Sequence, residues 1–473
     1  MSKIAPLSGF PEYLPVDRIV EQHFCDVIRE VFELHGFSSI ETRAVEPIER
    51  LSAQGEDADK EIYAISRLAG GEHDREARLG LHFDLTVPFA RYVLENAGQL
   101  QFPFRRYQIQ KVWRGERPQE GRYREFTQAD IDVVDVGELS SHFEAEMPLV
   151  IADAFARLPV PDYVIGVNDR KIAEGFYRGI GLDDVAGTLR VVDKLDKIGP
   201  EAVTDLLRAA GASDEQASQC LNLAEIRTAD CSFVDRVREL GVEHPLLEQG
   251  LESLAAVVST GAAAPGKIVA DLKIARGLDY YTGAVYETQF VGYEAWGSFC
   301  SGGRYDSLAS DGKVSYPGVG ISIGVSRILG LLLGRNLVRA SRSTPACVLV
   351  ALVAETPEDR ARSVAVATAL RRRGIACEVA PAAAKFGKQI RYADRRGIPF
   401  VWFPGAGDDG AGDESARDGA GDQASGGPGS GGRGSGGRGD EVKDIRSGEQ
   451  VAADAASWMP PAEDLHPRVS RVV

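Results

Sequence analysis

Apolar residues recur at helical spacing from Val16 to Gly36, and this period predicts an amphipathic helix that ends at the glycine. The next residues, Phe37–Pro47, predict a strand that leads into a proline turn. Two later stretches, Phe104–Trp113 and Arg124–Val134, alternate between polar and apolar positions and predict two strands. The polar loop Arg117–Arg122 would join them as a hairpin.

The pattern changes between about Gly175 and Gly261, where Ala, Leu and charged residues follow a helical period. We interpret this segment as a small, mostly helical insertion. Strand-like patterns resume at Lys267–Leu272 and Tyr281–Phe290. Gly318–Ile323 predicts a further buried strand, and Gly324–Leu333 begins a helix.

Strands and helices alternate beyond a polar, basic linker at Gly334–Thr344. The predicted order is strand Ala346–Val353, helix Pro357–Arg373, strand Ala376–Ala380, helix Phe386–Arg396 and strand Phe400–Phe403. This alternation predicts a compact α/β domain with a mainly parallel sheet. The domain is interrupted by Gly405–Asp440, which holds 15 Gly among 36 residues and almost no bulky apolar side chains, so we predict that the segment is disordered.

The composition is that of a globular protein: 473 residues, of which 44% are hydrophobic and 26% charged. The six cysteines are scattered without a C-x-x-C spacing, which argues against a zinc site and fits a reducing compartment. We find no segment typical of a signal peptide or a membrane span. The sequence therefore predicts a soluble, cytoplasmic protein with no metal site of its own.

The net charge of −16 is not that of a general nucleic-acid binder, which would usually be basic. Any nucleic-acid partner must therefore be met by a local patch. Arg371–Arg396 offers one, with eight basic and two acidic residues. The alternative interpretation of this patch is a solvated helix face.

The most informative run is FRRYQIQKVWRGERPQEGRYREFTQADIDVV at residues 104–134. Residues two apart on a strand share a face, so Arg114 and Glu116 are predicted to lie on the same face. The return strand places on one face Arg122, Arg124, Phe126, Gln128, Asp130 and Asp132. Arginine forks suit phosphates, the phenyl ring can stack on a purine, and Asp132 can pair with an amine or an imidazole. The alternative is an exposed ladder of cross-strand ion pairs.

Two further runs carry polar residues at short spacing. LHFDLTVPFARY at residues 81–92 places Asp84 and Thr86 two apart, either to hold an α-ammonium group or to cap a helix. IARGLDYYTGAVYE at residues 274–287 contains Arg276, Tyr280 and Tyr281. An arginine and two tyrosines can define a polar pocket; alternatively, the tyrosines straddle a sheet.

Glycines mark the last two runs. In CSGGRYDSL at residues 300–308, two glycines allow the backbone to approach a ligand closely. GVGISIGVSRIL at residues 318–329 has the spacing G-x-G-x-x-x-G, which is not a dinucleotide fingerprint, and the chain has no phosphate-binding P-loop. A glycine-lined strand followed by Arg327 on a helix favours ATP bound over a flat sheet.

These runs, in this order, resemble the histidyl-tRNA synthetase family of class II aminoacyl-tRNA synthetases. RGERPQEGRYREF resembles the second class II signature, and GVGISIGVSRILGLL the third. FELHGFSSIETRAVEP at residues 32–47 resembles the first signature, which forms the dimer interface in the family. RGLDYYTG and SGGRYD are specific to the histidine enzymes, and KFGKQIRYADRRGIPF is similar to the family's anticodon-binding domain. The resemblance covers the chain except Gly405–Asp440.

The resemblance implies the following site. Asp84 and Thr86 would bind the amino group of histidine, and Gln128 would help to hold the substrate. Asp132 and Tyr281 would bind the imidazole, with Tyr280 lining the same pocket. Arg276 would be the catalytic arginine at the α-phosphate. ATP would be bound by Arg114, Glu116, Arg122, Phe126 and Arg327, and Arg114 would also share in catalysis.

The resemblance also implies an α+β fold. It consists of an antiparallel-sheet catalytic domain (1–174 and 263–335) with a helical insertion (175–262), and an α/β anticodon-binding domain (343–473) interrupted at 405–440. The implied reaction uses ATP and Mg²⁺ to join histidine to tRNA(His), and the implied assembly is a homodimer. Two other classes remain open, a non-catalytic histidine-binding regulatory subunit and an RNA-binding module without charging activity. The C-terminal domain and Arg276 argue against the first, and Arg114, Arg276 and Arg327 against the second.

Overall fold

The computed structural model describes residues 5–52, 61–67, 78–274, 281–405 and 439–472. Two of the predicted site residues, Arg276 and Tyr280, lie outside the described residues, and so does nearly all of the predicted disordered segment. The chain divides into two compact units. The first unit consists of Met1–Glu12 and Glu21–Leu337, and the second of Tyr13–Val20 and Val338–Val472.

Helices occupy the following described residues: α1 (Pro15–Leu34), α2 (Ile48–Leu51), α3 (Thr86–Asn96), α4 (His142–Arg157), α5 (Arg170–Gly179), α6 (Val185–Val192), α7 (Leu195–Ala209), α8 (Asp214–Ala224), α9 (Phe233–Arg238), α10 (Pro245–Ser259), α11 (Val325–Gly334), α12 (Pro357–Arg372) and α13 (Phe386–Arg396). None of them is long and apolar enough to cross a membrane.

Strands occupy β1 (Ser38–Ser39), β2 (Val45–Pro47), β3 (Ala64–Ile65), β4 (Leu79–Leu81), β5 (Phe104–Trp113), β6 (Glu125–Val134), β7 (Tyr163–Asp169), β8 (Arg227–Thr228), β9 (Ile268–Asp271), β10 (Tyr281–Phe290), β11 (Cys300–Tyr305), β12 (Gly318–Ile323), β13 (Val338–Ala340), β14 (Val348–Val350), β15 (Cys377–Val379), β16 (Phe400–Phe403), β17 (Glu441–Asp444), β18 (Gln450–Ala452) and β19 (Val469–Arg471).

A nine-stranded sheet organises the described part of the first unit, in the order β1-β5-β6-β12-β11-β10-β7-β9-β8. The six central strands from β5 to β7 are joined by antiparallel pairings throughout. The predicted antiparallel-sheet fold is therefore confirmed. Along β6 and β12, Ile131, Val133, Val319 and Ile321 are buried and alternate with polar or glycine positions, as the period of two requires. Helix α11 packs against β6, and α4 against β12.

The region predicted as one strand, Phe37–Pro47, is two short strands in different sheets. β1 runs parallel to β5 in the large sheet, whereas β2 joins β4 in a three-stranded sheet. Between them, the side chains of Gln108 and Gln110 donate to the hydroxyl and carbonyl oxygens of Thr42. Side chains, rather than the backbone of a neighbouring strand, hydrogen-bond to Thr42 at this point. The prediction of one continuous strand was therefore wrong.

The second unit has a five-stranded sheet in the order β15-β14-β16-β17-β18. β14 is parallel to both β15 and β16, as the predicted crossover helices require. Helix α12 packs into the cluster around Trp402, and α13 into the cluster around Val401, so each covers one face. The last two strands are antiparallel, which makes the sheet mixed rather than mainly parallel, because no crossover helix separates β17 from β18.

Candidate active site

Three neighbouring strands of the large sheet present polar side chains on one face. In the register of β5, β6 and β12, Arg106 lies opposite Asp132, which lies opposite Gly320. One step along, Asp130 lies between Gln108 and Ser322. These positions are buried, except Ser322, which is half-buried. The alternative of an exposed ladder of ion pairs was therefore wrong for this face.

Asp132 is held on both carboxylate oxygens. Arg106, which is fully buried, contacts Oδ2 at 2.5 Å, and the hydroxyl of Tyr305 on β11 donates to Oδ1 at 2.8 Å. Burial raises the pKa of Asp132 to about 7, while the charge of Arg106 acts in the opposite direction. The carboxylate therefore has a fixed position, with burial favouring its neutral form and Arg106 its ionised form.

The glycines of β12 give room to these side chains. A Cβ at Gly320 would lie 2.1 Å from Asp132 Oδ1, and a Cβ at Gly318 would lie 2.6 Å from the ring of Tyr305. On β11, a Cβ at Gly302 would lie 2.1 Å from the Gly320 carbonyl oxygen, and one at Gly303 would lie 2.9 Å from the ring of Tyr281. The prediction that Gly302 and Gly303 let the backbone approach a ligand is not supported, because neighbouring protein atoms fill the space beside these glycines.

Asp84 lies in the turn between β4 and α3 and is buried. Its Oδ1 accepts the backbone N–H of Val87 at 3.1 Å, so it caps the first turn of the helix, as the capping alternative expected. Its Oδ2 is buried without a hydrogen-bond partner among the described residues and remains available to a ligand. Burial raises the pKa of Asp84 to about 7, and nearby Arg114 opposes the shift. Thr86 is the first residue of the helix and is half-buried.

Two arginines of the hairpin hold the turn that carries Asp84. Arg114 Nε donates to the carbonyl of Phe83 at 3.0 Å, and Arg106 Nη2 donates to the carbonyl of Leu85 at 3.2 Å. The turn is thereby fixed to the strand that also contacts Asp132. The amino-group and imidazole residues implied by the resemblance thus lie around one buried surface.

Gln128 and Asp130 complete this surface. Gln128 Nε2 donates to the Ser322 hydroxyl at 2.9 Å, and that hydroxyl also hydrogen-bonds Asp130. Burial raises the pKa of Asp130 to about 6, against the charge of Arg106. Gln128 Oε1 and Asp130 Oδ1 have no partner among the described residues. Buried acceptors without partners are uncommon and point to a ligand that donates hydrogen bonds.

The other predicted residues form a cationic end of the site. The Arg114 guanidinium lies over the Phe126 ring at 5.2 Å, and Glu116 lies 3.9 Å from Arg114 and 3.6 Å from Arg122. Arg327 at the start of α11 donates to the Trp296 carbonyl. Burial, followed by the charge of Arg122, lowers the pKa of Arg327 to about 10. Arg122 and Arg327 are close enough to repel each other, and guanidinium groups are suited to binding phosphates.

Sequence profiles identify the family. The profile described as histidyl-tRNA synthetase matches residues 9–328, and the one described as an anticodon-binding domain matches residues 347–409. The chain belongs to the histidyl-tRNA synthetase family. A protein named histidine–tRNA ligase from Micrococcus luteus is 59% identical, with 100% of this chain and 99% of the relative covered. One of the same name from Cutibacterium acnes is 57% identical, with 99% of each chain covered.

A solved structure with the same family name is similar to this chain in fold. The crystal structure of histidyl-tRNA synthetase from Nostoc sp. PCC 7120 has a TM-score of 0.79 and 33% identity, covering 95% of this chain and 97% of that one. The family and its ligase relatives confirm the predicted class of enzyme, a class II aminoacyl-tRNA synthetase. The presence of the anticodon-binding region also argues against a regulatory subunit, which would lack it.

Among the residues predicted for this histidyl-tRNA synthetase site, the structure brings together Asp84, Gln128 and Asp132 on the buried surface, with Tyr281 beginning β10 beside it. Sequence reasoning missed Arg106, Tyr305 and Ser322, which hold the predicted residues in place, and assigned no role to Asp130. A signal for Arg106 was present, because the period of two along β5 places it on the same face as the polar side chains of Gln108 and Gln110. Tyr305 lies in the SGGRYD run, which was assigned to the histidine enzymes without a role for its tyrosine.

Proposed function

We propose that this chain charges tRNA(His) with histidine in two steps, and that the buried polar face of β5, β6 and β12 is its histidine pocket. The observation that carries the proposal is the set of buried oxygens without partners among the described residues: Asp84 Oδ2, Gln128 Oε1 and Asp130 Oδ1. An α-ammonium group has three N–H donors and a positive charge. Its binding would satisfy these acceptors and offset the cost of burying the carboxylates.

The imidazole ring is proposed to bind at the other end of the pocket, against Asp132 and Tyr281, with Tyr280 lining the same region. Asp132 supports this role because Arg106 and Tyr305 fix its carboxylate in one position. A site built to hydrogen-bond a ring N–H rejects analogues without that donor, since its own polar groups would be left unpaired. Selectivity for histidine would therefore arise from hydrogen bonding rather than from the size of the pocket.

ATP is proposed to bind over the cationic end, with Arg114, Arg122 and Arg327 at its phosphates. Phe126 would stack on the adenine, and Glu116 would accept a hydrogen bond from the adenine amino group. Mg²⁺ is expected to bind through ATP phosphate oxygens, its usual ligands in such enzymes. The described residues contain no group of three His, Cys, Asp or Glu side chains suited to a metal ion.

In the first step, a histidine carboxylate oxygen attacks the α-phosphorus of ATP, and the bond from that phosphorus to the β-phosphate oxygen breaks. Pyrophosphate leaves, and histidyl-adenylate forms. No protein base is required, because the nucleophile is already ionised. Catalysis therefore rests on positioning the carboxylate and on arginine charges that stabilise the developing negative charge. Arg276 and Arg114 are the residues we propose for this stabilisation.

In the second step, the 3′-hydroxyl of the terminal adenosine of the tRNA attacks the histidyl carbonyl carbon, and AMP leaves. We propose that residues 1–174 and 263–335 form the catalytic domain around the helical insertion at 175–262. Residues 343–473 are proposed to bind the anticodon. A homodimer and a cytoplasmic location are proposed on the family resemblance, and sedimentation at micromolar concentration tests the dimer against the 50.9 kDa monomer.

Aminoacylation with labelled histidine tests the proposed function. The enzyme should attach histidine to tRNA(His) only when ATP is present. Asp84→Asn should raise the Michaelis constant for histidine more than tenfold while leaving that for ATP within about threefold, because Asn loses the charge that would bind the ammonium group. A failure of the wild-type enzyme to charge tRNA(His) would refute the function, and equal effects of Asp84→Asn on both substrates would refute the pocket assignment.

A further inference from the structure

Arg106 contacts both ends of the proposed histidine pocket, although the proposed function places it in contact with neither substrate. It is fully buried on β5. One nitrogen, Nη2, contacts Asp132 Oδ2 at 2.5 Å and also donates to the Leu85 carbonyl at 3.2 Å. Leu85 stands between Asp84 and Thr86, the residues that the family resemblance implies for the amino group. The same guanidinium lies 4.4 Å from the centroid of the Phe89 ring on α3.

We propose that Arg106 is the positioning residue that sets histidine affinity, by keeping Asp132 ionised and in place and by fixing the turn that carries Asp84. The inference rests on the proposed function and adds a determinant of specificity to it. Arg106 would act through these two acids and not by reacting with the substrate.

The charges around Asp132 support this role. The groups that face it from each packed element are Arg106 on β5, Asp130 on β6, Tyr305 on β11 and Asp84 in the turn before α3. The residue of β12 paired with Asp132 is Gly320, which has no side chain. Two of these groups are acids that disfavour the charge on Asp132, and Arg106 is the cation among them. Without it, burial and two neighbouring acids would leave Asp132 neutral at physiological pH.

The geometry also explains why Arg is suited to this position. A planar guanidinium with five N–H donors can contact a carboxylate and a backbone carbonyl together, whereas a lysine ammonium is a point charge on a flexible chain. Nε and Nη1 of Arg106 are buried without partners among the described residues. The guanidinium is therefore buried although only part of its hydrogen-bonding capacity is used, and burying donors without partners costs free energy.

Arg106→Met tests the proposal, with the Michaelis constants for histidine and ATP measured by pyrophosphate exchange from pH 6 to pH 9. At pH 7 we expect the constant for histidine to rise more than tenfold and that for ATP to stay within about threefold. The defect should shrink as pH rises, because Asp132 then ionises without help. Arg105→Met is the matched control: the neighbouring residue forms an ion pair with Glu146 at 2.5 Å, away from Asp132. It should leave both constants within about twofold.

Tyr305→Phe and a double variant provide independent readouts if Arg106→Met folds poorly. Tyr305→Phe removes only the hydroxyl that stabilises the Asp132 carboxylate, so it should shift the pH dependence of the histidine constant in the same direction by a smaller amount. Arg106→Met with Asp132→Asn should weaken histidine binding by less than the product of the two single defects, because only the contact with the Leu85 carbonyl remains for Arg106 to lose. Multiplying defects in the double variant, an equal rise for ATP, or a histidine defect independent of pH would each overturn the proposal. Wild-type enzyme without histidine-dependent exchange would instead refute the proposed function.

Discussion

Replacing Gly320 with alanine should weaken histidine binding by displacing Asp132. The added Cβ would lie 2.1 Å from Asp132 Oδ1 and 2.5 Å from the Ile131 carbonyl oxygen. A carbon and an oxygen without a bond between them need more than about 3 Å, so the carboxylate must move by about 1 Å. The displaced oxygen is the one that accepts the Tyr305 hydroxyl at 2.8 Å, and this bond would be lost.

The magnitude follows from the two costs. Overpacking a buried position costs about 1–3 kcal/mol of stability. A comparable loss in binding, about 1.4 kcal/mol, is a tenfold rise in the dissociation constant for histidine. We therefore expect a lower unfolding temperature by calorimetry and a Michaelis constant for histidine at least tenfold higher, with that for ATP almost unchanged.

Gly334→Ala is the matched control, because nothing lies within 4 Å of a Cβ at this position at the end of α11. Alanine favours the helix by up to about 1 kcal/mol, so this variant should be at least as stable as the wild type and should bind histidine normally. If Gly320→Ala kept a histidine constant within twofold of the wild type, the position of Asp132 would not control binding.

Three further predictions concern pH and residues outside the described part of the chain. Burial raises the pKa values of Asp84 and Asp132 to about 7, so both become neutral as pH falls, and calorimetry should find that histidine affinity decreases from pH 8 to pH 6; constant or increasing affinity would contradict this. Arg276→Ala should lower the adenylation rate roughly 10²–10³-fold with substrate binding within about tenfold, and a change under about threefold would make the residue structural. Deleting residues 406–438 should leave charging nearly unchanged and shift stability by about 1 kcal/mol, whereas a tenfold rise in the constant for tRNA alone would place the segment in the RNA-binding surface.

The structure sharpens the last of these experiments. β16 and β17 are antiparallel neighbours, so their ends can be joined by a short turn. Asp440 accepts hydrogen bonds from the Trp402 indole at 2.9 Å and from the Gly405 backbone at 2.8 Å. Gly405 and Asp440 therefore belong to the folded unit, although the sequence pattern predicted them to be the ends of the disordered segment. A deletion must therefore keep Gly405 and Asp440.

Long periodic segments were predictable from the sequence because one face of each is buried. Phe104–Trp113, Tyr281–Phe290 and Phe386–Arg396 have the bounds that their patterns predicted. The break within Phe37–Pro47 was not predictable, because hydrogen bonds from the Gln108 and Gln110 side chains, distant in sequence, take the place of strand pairing there. Local pattern carries no information on such tertiary partners.

The candidate site also contains residues that the sequence predicted and residues that it did not. Asp84, Gln128 and Asp132 stand in short runs with recognisable spacing, so they could be named as candidates in advance. Arg106 and Tyr305 act on Asp132 from other strands, and only the register of the sheet brings them to it. The glycines of β11 and β12 could not be interpreted from the sequence for the same reason: the atoms that fill the space beside them come from β6, β10, β11 and β12.

The central claim is that the pocket activates histidine. Pyrophosphate exchange measured with each of the standard amino acids tests it most directly. The account predicts exchange that depends on histidine and on no other amino acid, and that falls sharply in Asp132→Asn. Comparable exchange with several amino acids, or undiminished exchange in that variant, would contradict it.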